Sequence, residues 1–486
     1  MSAMTELPPR RRICVKVKLL FALMFGAGPA FADGGHPPWH PASPWPDRIV
    51  ATPGETPTSS FAVTWRTDEA TRFGQAQLVE STGDARFDLG AARYAAITEK
   101  LALAELPQPE RAPLPVKWNA GHAPVHYHSV TFEDLKPDTL YSYRVGSPQG
   151  GFSEWFQLRT APETGPVEFL YFGDAQNGIL SHWARTVREG FRLVPKARFI
   201  IHAGDMVNRG SRDLEWSQWF KAVGFIHGML PAIPVAGNHE YDRLGLSGDD
   251  AKRYLSIQWQ PQFTLPGNDA MPRRFQETVY KIPYNKDLSV FVLDSQGGEF
   301  EAQAAWLDKA LGEDQARWRV VTMHHPVFSS GKDRDTPERR AVILPVLLKH
   351  NVDLVLQGHD HTYARGHIPT LETVAAGTGL GPVFVNSVSG AKQYPFRENG
   401  WDDYEKEGVT LQRLAENTQL IQRIRIDGDR LDFYAYDASG ALYDRMTVRK
   451  PIGEPKRLEE GPSLGAPRRF ENTGPYPGAG NLNLDD

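Results

Sequence analysis

Five short apolar runs in this chain lead into side chains of the kind that bind metals, and that recurrence constrains its fold more than any other feature. Residues 167–172 lead into Gly173-Asp174-Ala175-Gln176, 199–203 into Gly204-Asp205, and 233–236 into Gly237-Asn238-His239-Glu240. Residues 320–323 lead into His324-His325-Pro326, and 354–356 into Gly358-His359-Asp360-His361. Runs this apolar read as strands covered on both faces. Further strands are expected at 290–293 and 383–387, and helical periods at 181–193, 214–226, 302–311 and 338–349. The alternation predicts an α/β domain of layered β-sheets flanked by helices over 163–450. In such sheets the loops at the carboxyl ends of the strands converge on a crevice, which is where ligands bind. A Gly-Asp pair alone is an ordinary turn and a His-x-His alone an ordinary strand. Five such motifs in series are not.

In front of this domain, residues 47–162 read as all-β: short alternating runs such as 60–65 and 126–132 are separated by Gly, Pro and Asp turns. The segment 135–145, with Pro137, Tyr141 and Tyr143, resembles the corner and strand of a fibronectin type III sandwich, where a tyrosine hydroxyl satisfies a backbone group. The proline-rich stretch 106–115 reads as a loop within it. His126 and His128 share one face of a strand and are expected to face solvent. A β-rich stretch at 419–448 closes the second domain, and 451–486, poor in apolar residues, is expected to be a flexible tail. No internal repeat is visible.

Residues 1–32 read as a secretory signal peptide. Arg10, Arg11, Arg12, Lys16 and Lys18 precede an apolar run at 19–27, and Ala30-Phe31-Ala32 offers a small-x-small cleavage site. The Arg11-Arg12 pair also resembles a twin-arginine signal, which suits a protein that folds around metals before export. Residues 33–46 would then be a linker, and the protein periplasmic or secreted. The only cysteine, Cys14, lies in this segment, so disulfides and thiolate ligands are excluded from the mature chain. Removing 1–32 takes away five basic side chains and one acidic one, which moves the net charge from −5 to −9. An acidic chain argues against a nucleic-acid partner. No run is long enough for stable insertion into a membrane.

Residues 167–390 resemble a calcineurin-like metallophosphoesterase domain, and with the β-domain in front the chain resembles the purple acid phosphatase arrangement. The resemblance rests on Asp174, Gly204-Asp205, Gly237-Asn238-His239, His324 and Gly358-His359-Asp360-His361. It implies two metal ions bridged by Asp205, one also held by Asp174 and His361, the other by Asn238, His324 and His359. It also implies His239 as proton donor to the leaving group. Two cations joined by a carboxylate lower the pKa of a shared water and clamp phosphate oxygens, so that hydroxide attacks phosphorus in line. The expected activity is that of an exported phosphatase acting on small phosphorylated substrates. The first position, rich in oxygen donors, suits manganese or iron, and the second suits zinc, iron or manganese.

The chain departs from that pattern in places. Purple acid phosphatases carry a tyrosine three residues after the bridging Asp, and here Asn208 stands there, so a colourless protein is expected. Gln176 occupies a position where many relatives have His and offers an oxygen ligand; Asn208 is a ligand or lies just behind one. Where plant-type enzymes have further histidines, this chain reads Lys332-Asp333-Arg334. Asn238, His239, Tyr363 and Arg365 are candidate substrate contacts. His325 and His202 are expected to support ligands or pack, and Trp183, Trp216 and Trp219 to lie in the core. A phosphodiesterase using the same metal centre, and a non-catalytic binding protein, stand as alternatives.

Overall fold

The structure, a computed structural model, describes residues 41–105, 119, 121–243, 253–373 and 377–473. The export signal expected over 1–32 and the loop expected over 106–115 lie outside them.

The N-terminal part is a β-sandwich. One sheet has the order Asp47–Pro53, Phe61–Asp68, Val125–Phe132, Ile97–Leu101, and the other Ala92–Ala95, Gln75–Glu80, Leu140–Ser147, Gly151–Phe152, with Phe156–Arg159 also pairing Leu140–Ser147. Side chains alternate across each strand. Phe61, Val63 and Trp65 therefore meet Val130, Phe132, Tyr141, Tyr143 and Val145 in one core. At the predicted corner the Lys136 N–H donates to the Tyr141 hydroxyl at 2.9 Å. The expectation for His128 is corrected: it is buried, its two ring nitrogens lying 2.8 and 2.9 Å from the Thr67 and Thr98 hydroxyls. A satisfied imidazole costs little to bury.

The following part stacks two mixed sheets, each with seven strands among the described residues. The first runs Ala232–Pro234, Ile200–His202, Val167–Phe172, Leu420–Asp427, Arg430–Asp437, Leu442–Arg449, Arg457–Glu460. The second runs Tyr280–Pro283, Leu288–Val292, Trp318–Thr322, Leu354–Gln357, Val383–Asn386, Tyr363–His367, Thr410–Ala415. Alternation again sorts the side chains. Val290, Val292, Val320, Leu354, Leu356, Val383 and Val385 face the first sheet. Phe291, Val321, Val355 and Phe384 face Leu307, Leu311, Ile343 and Leu347 of helices Phe300–Glu313 and Pro337–Lys349. Each such side chain contributes roughly 1.5–3 kcal/mol on burial. Helices Ala184–Leu193 and Asp213–Val223 cover the first sheet, with Trp183, Trp216 and Trp219 fully buried there. Val167–Phe172, Ile200–His202 and Ala232–Pro234 run parallel, as do Leu288–Val292, Trp318–Thr322, Leu354–Gln357 and Val383–Asn386. Within each set the carboxyl ends emerge on the same side.

The flexible tail expected from residue 451 onward is corrected for its described part. Arg457–Glu460 forms an edge strand on Leu442–Arg449, Lys456 is buried 3.1 Å from Asp353, and Glu460 pairs with Arg365 at 2.8 Å. Backbone pairing and ion pairs hold this segment, which is why its low apolar content misleads.

The sandwich and the α/β layers meet through a buried charge cluster. Arg48, on the first sandwich strand, clasps both carboxylate oxygens of Asp213 at 2.8 Å, and the same Nη1 that meets Oδ1 also donates to the Tyr127 hydroxyl at 3.1 Å. Arg66 Nη1 stands 3.5 Å from the same carboxylate. Asn119 donates to the Ser211 carbonyl at 2.7 Å and accepts the Asp213 N–H at 3.1 Å. Burial alone would raise the Asp213 pKa, but the charges of Arg48 and Arg66 outweigh it and hold the group below its ordinary value. Asp213→Ala, which strands the buried Arg48 guanidinium, is expected to cost about 3–5 kcal/mol in denaturant unfolding. The carboxylate's contribution is complete above pH of about 4 and is lost as pH falls through the depressed pKa, so the wild-type advantage should vanish in acid titrations of stability.

Candidate metal centre

Strand ends from both sheets deliver the candidate ligands. Asp174, Asp205, Asn238 and His239 follow Val167–Phe172, Ile200–His202 and Ala232–Pro234 of the first sheet, while His324, His359 and His361 follow Trp318–Thr322 and Leu354–Gln357 of the second. The turns are tight. Asp205, His359 and His361 take φ of 50°, 75° and 55°, a left-handed conformation that costs a non-glycine residue about 1–3 kcal/mol. Surrounding bonds offset that cost: the His359 N–H donates to Asp174 Oδ1 at 2.6 Å, and the Asp205 N–H to Glu240 Oε2 at 2.9 Å. A Cβ on Gly358 would come within 2.5 Å of Asp174 Oδ1, and one on Gly237 would strike the Asp205 carboxylate, so both positions need glycine.

Two groups of ligand atoms result, Asp174 with Asp205 and His361, and Asp205 with His324 and His359, each with its ligand atoms within 4.8 Å of one another. Asp205 is common to both. In the second group Asn238 Oδ1 lies 2.8 Å from His359 Nδ1 and 3.1 Å from His324 Nε2, which is 3.2 Å from Asp205 Oδ2. In the first, His361 Nε2 is 3.5 Å from Asp174 Oδ2, a buried oxygen with no hydrogen-bond partner.

This donor set fits a pair of cations. Burial, and then neighbouring cationic groups, push His359 and His361 well below the usual imidazole range, so both offer lone pairs. Burial pushes Asp174 up to about 7, whereas at Asp205 the charges of His324 and His239 outweigh burial and keep the carboxylate ionised. The demand for positive charge shows at His324: burial opposes it, yet Asp205 and Asp174 lift its pKa to about 9. Lone pairs converging in a buried space, with one carboxylate oxygen unpaired, are what a bound cation reconciles. The outer nitrogens are fixed as metal-binding imidazoles require. His324 Nδ1 sits 2.8 Å from the Ala203 carbonyl and His361 Nδ1 2.9 Å from that of Lys392.

The remaining candidates divide. Gln176 joins the cluster: its Nε2 lies 2.8 Å from Asp205 Oδ2 and 3.2 Å from His361 Nε2, and its Oε1 is buried without a partner. The two ends of an amide are nearly isosteric, and a half-turn presents the oxygen to an ion. Asn208 contributes its backbone. Its carbonyl is 2.7 Å from His239 Nδ1 and its N–H donates to Glu215 at 2.6 Å. His239 stands beside the centre, Nε2 3.8 Å from Asp205 Oδ2. His325 supports it, with Nδ1 2.9 Å from Ser295 Oγ and its ring 4.1 Å from that of His359. His202 packs against Trp183, Trp219 and His227.

Tyr363 and Arg365 are not brought to the cluster. Both point between the sheets, where Tyr363 donates to Asp444 at 2.6 Å and Arg365 engages Asp444 and Glu460 at 2.7 and 2.8 Å. Sequence reasoning missed two braces. Glu240, fully buried, accepts the N–H groups of Asp205, Met206, Val207 and Gly237 at 2.8–3.3 Å. Asp360, between the two histidines, accepts those of Ser330 and Gly331 at 2.5 and 3.0 Å. A carboxylate directly beside ligand residues was the available signal.

Comparison with known proteins agrees with this geometry. The calcineurin-like phosphoesterase family matches residues 167–363, and the purple acid phosphatase N-terminal domain matches 46–160. A probable purple acid phosphatase of Arabidopsis thaliana is 25% identical over 248 residues, 49% of this chain and 55% of that protein. The chain spans about half the length of the curated relatives it matches. Among solved structures, a purple acid phosphatase isolated from yellow lupin (Lupinus luteus) seeds shares the fold with a TM-score of 0.66 at 15% identity, covering 85% of this chain and 75% of that one. The structure of PhoD does so with a TM-score of 0.59 at 12% identity, covering 87% and 94%. The chain thus joins a segment that matches the N-terminal domain of purple acid phosphatases to one that matches the calcineurin-like phosphoesterase family.

Proposed function

We propose that this protein is a metal-dependent phosphoric ester hydrolase acting on small phosphate monoesters. The observation that carries the reading is the Asp205 carboxylate, common to two groups of buried ligands with His239 at its side. Asp174, Asp205, His361 and Gln176 would hold one ion, and Asp205, Asn238, His324 and His359 the other. Such a pair, when bound, supplies positive charge to the phosphate oxygens and activates water toward phosphorus. The chain's own groups set the direction of reaction. His239 is held through Nδ1 by the Asn208 carbonyl, which leaves Nε2 free to carry a proton to a departing alkoxide. Asn238, fixed against His359 and His324, offers its amide N–H to a phosphate oxygen. The basic and apolar pattern of residues 1–32 supports export with cleavage before Asp33.

Metal-loaded protein is expected to turn over phosphate monoesters, and turnover of diesters alone would overturn the reading. His239→Ala should slow an alkyl phosphate by roughly a hundredfold or more, and p-nitrophenyl phosphate far less, because only the poor leaving group needs the proton. Equal losses for both substrates would remove His239 from that role. Elemental analysis gives an independent check: Asp205→Ala should lose both ions, and His361→Ala only one.

A further inference from the structure

A phosphatase centre here would take one phosphoryl group, and the charges just outside it bear on what that group is attached to. Two cations share one aromatic ring there: the guanidinium carbon of Arg334 and Nζ of Lys392 lie 5.3 and 5.6 Å from the ring centroid of Tyr394. That ring in turn stands 4.8 Å from the ring of His361. The segment is tied to the ligand from both sides, since the Tyr394 N–H donates to the His361 carbonyl at 3.1 Å and the Lys392 carbonyl meets His361 Nδ1 at 2.9 Å.

The two cations are not equivalent. Arg334 is largely committed, donating to the His359 carbonyl at 2.7 Å with its Nε 3.4 Å from Asp360 Oδ1. Lys392 is half-buried, rests on the tyrosine face, and pairs with no carboxylate among the described residues. Its carbonyl holds His361 and its ammonium rests on the ring that packs against that residue, so it stands at the edge of the ligand cluster. Seated on the ring with no carboxylate paired to it among the described residues, that ammonium is available to an anion. The scissile phosphate is met deeper, between the two ligand groups, so the anion that reaches Lys392 belongs to the rest of the substrate.

We propose that Lys392, seated on Tyr394 beside Arg334, forms a subsite for a second anionic group. The favoured substrates are then organophosphates whose alcohol half itself carries a carboxylate or another phosphate. This inference rests on the phosphomonoesterase reading above.

Glycerol phosphate and phosphoglycerate test it, because they differ in the leaving half chiefly by one carboxylate. In the metal-loaded wild-type protein, kcat/KM should be higher for phosphoglycerate. In Lys392→Gln the ratio of the two kcat/KM values should fall roughly tenfold, the weight of one charge-assisted hydrogen bond, mainly through KM. Lys392→Arg should restore most of it. A ratio that Lys392→Gln leaves unchanged overturns the subsite while leaving the phosphatase reading in place. Hydrolysis of neither compound by the wild type overturns both.

Discussion

The arrangement of the centre depends on keeping one carboxylate, Asp205, ionised in the interior. Removing such a charge from water is expensive unless it is paired and hydrogen-bonded. The surroundings of Asp205 meet that requirement with the His239 N–H at 2.8 Å, the Gln176 amide at 2.8 Å and the His324 imidazole at 3.2 Å. Its left-handed φ, the absence of a side chain at Gly237 and the convergence of strand ends from two sheets follow from bringing those partners to one point.

A second tier of carboxylates works on the backbone. Glu240 gathers four N–H groups from the turns after Ile200–His202 and Ala232–Pro234, Glu215 holds those of Asn208 and Arg209, and Asp360 holds the 329–331 turn. None of them belongs to either group of converging ligand atoms. They keep irregular backbone satisfied where it leaves the sheets, which is where a buried loop would otherwise strand polar groups. Rigid loops of this kind hold a catalytic constellation to the tolerance that the chemistry demands.

The strand-end candidates were legible in the sequence because their strands are so apolar that a terminal Asp, Asn or His stands out. The ordered placement of Asp174, Asp205, Asn238, His324, His359 and His361 needed no more than that periodicity and the family resemblance. Tyr363 and Arg365 misled because nearness in sequence to His361 does not decide direction. The two-residue period of Tyr363–His367 turns both toward Asp444 of the facing sheet. The braces were invisible for a different reason: their partners are backbone N–H groups, which leave no mark on residue identity. The docked 456–460 segment was missed on similar grounds, since a β-ladder and three ion pairs hold it.

The Arg48 to Asp213 clasp joins positions 165 apart in the chain. During synthesis the sandwich emerges first, and it has to keep Arg48 hydrated until the helix that begins at Asp213 arrives. Contacts of such long sequence separation form late. That same helix carries Glu215, which anchors the Asn208 backbone that orients His239. The docking of the two domains and the final alignment of His239 are therefore one folding event, and a sandwich exchanged for one lacking Arg48 would leave the ligand cluster assembled but His239 unaligned.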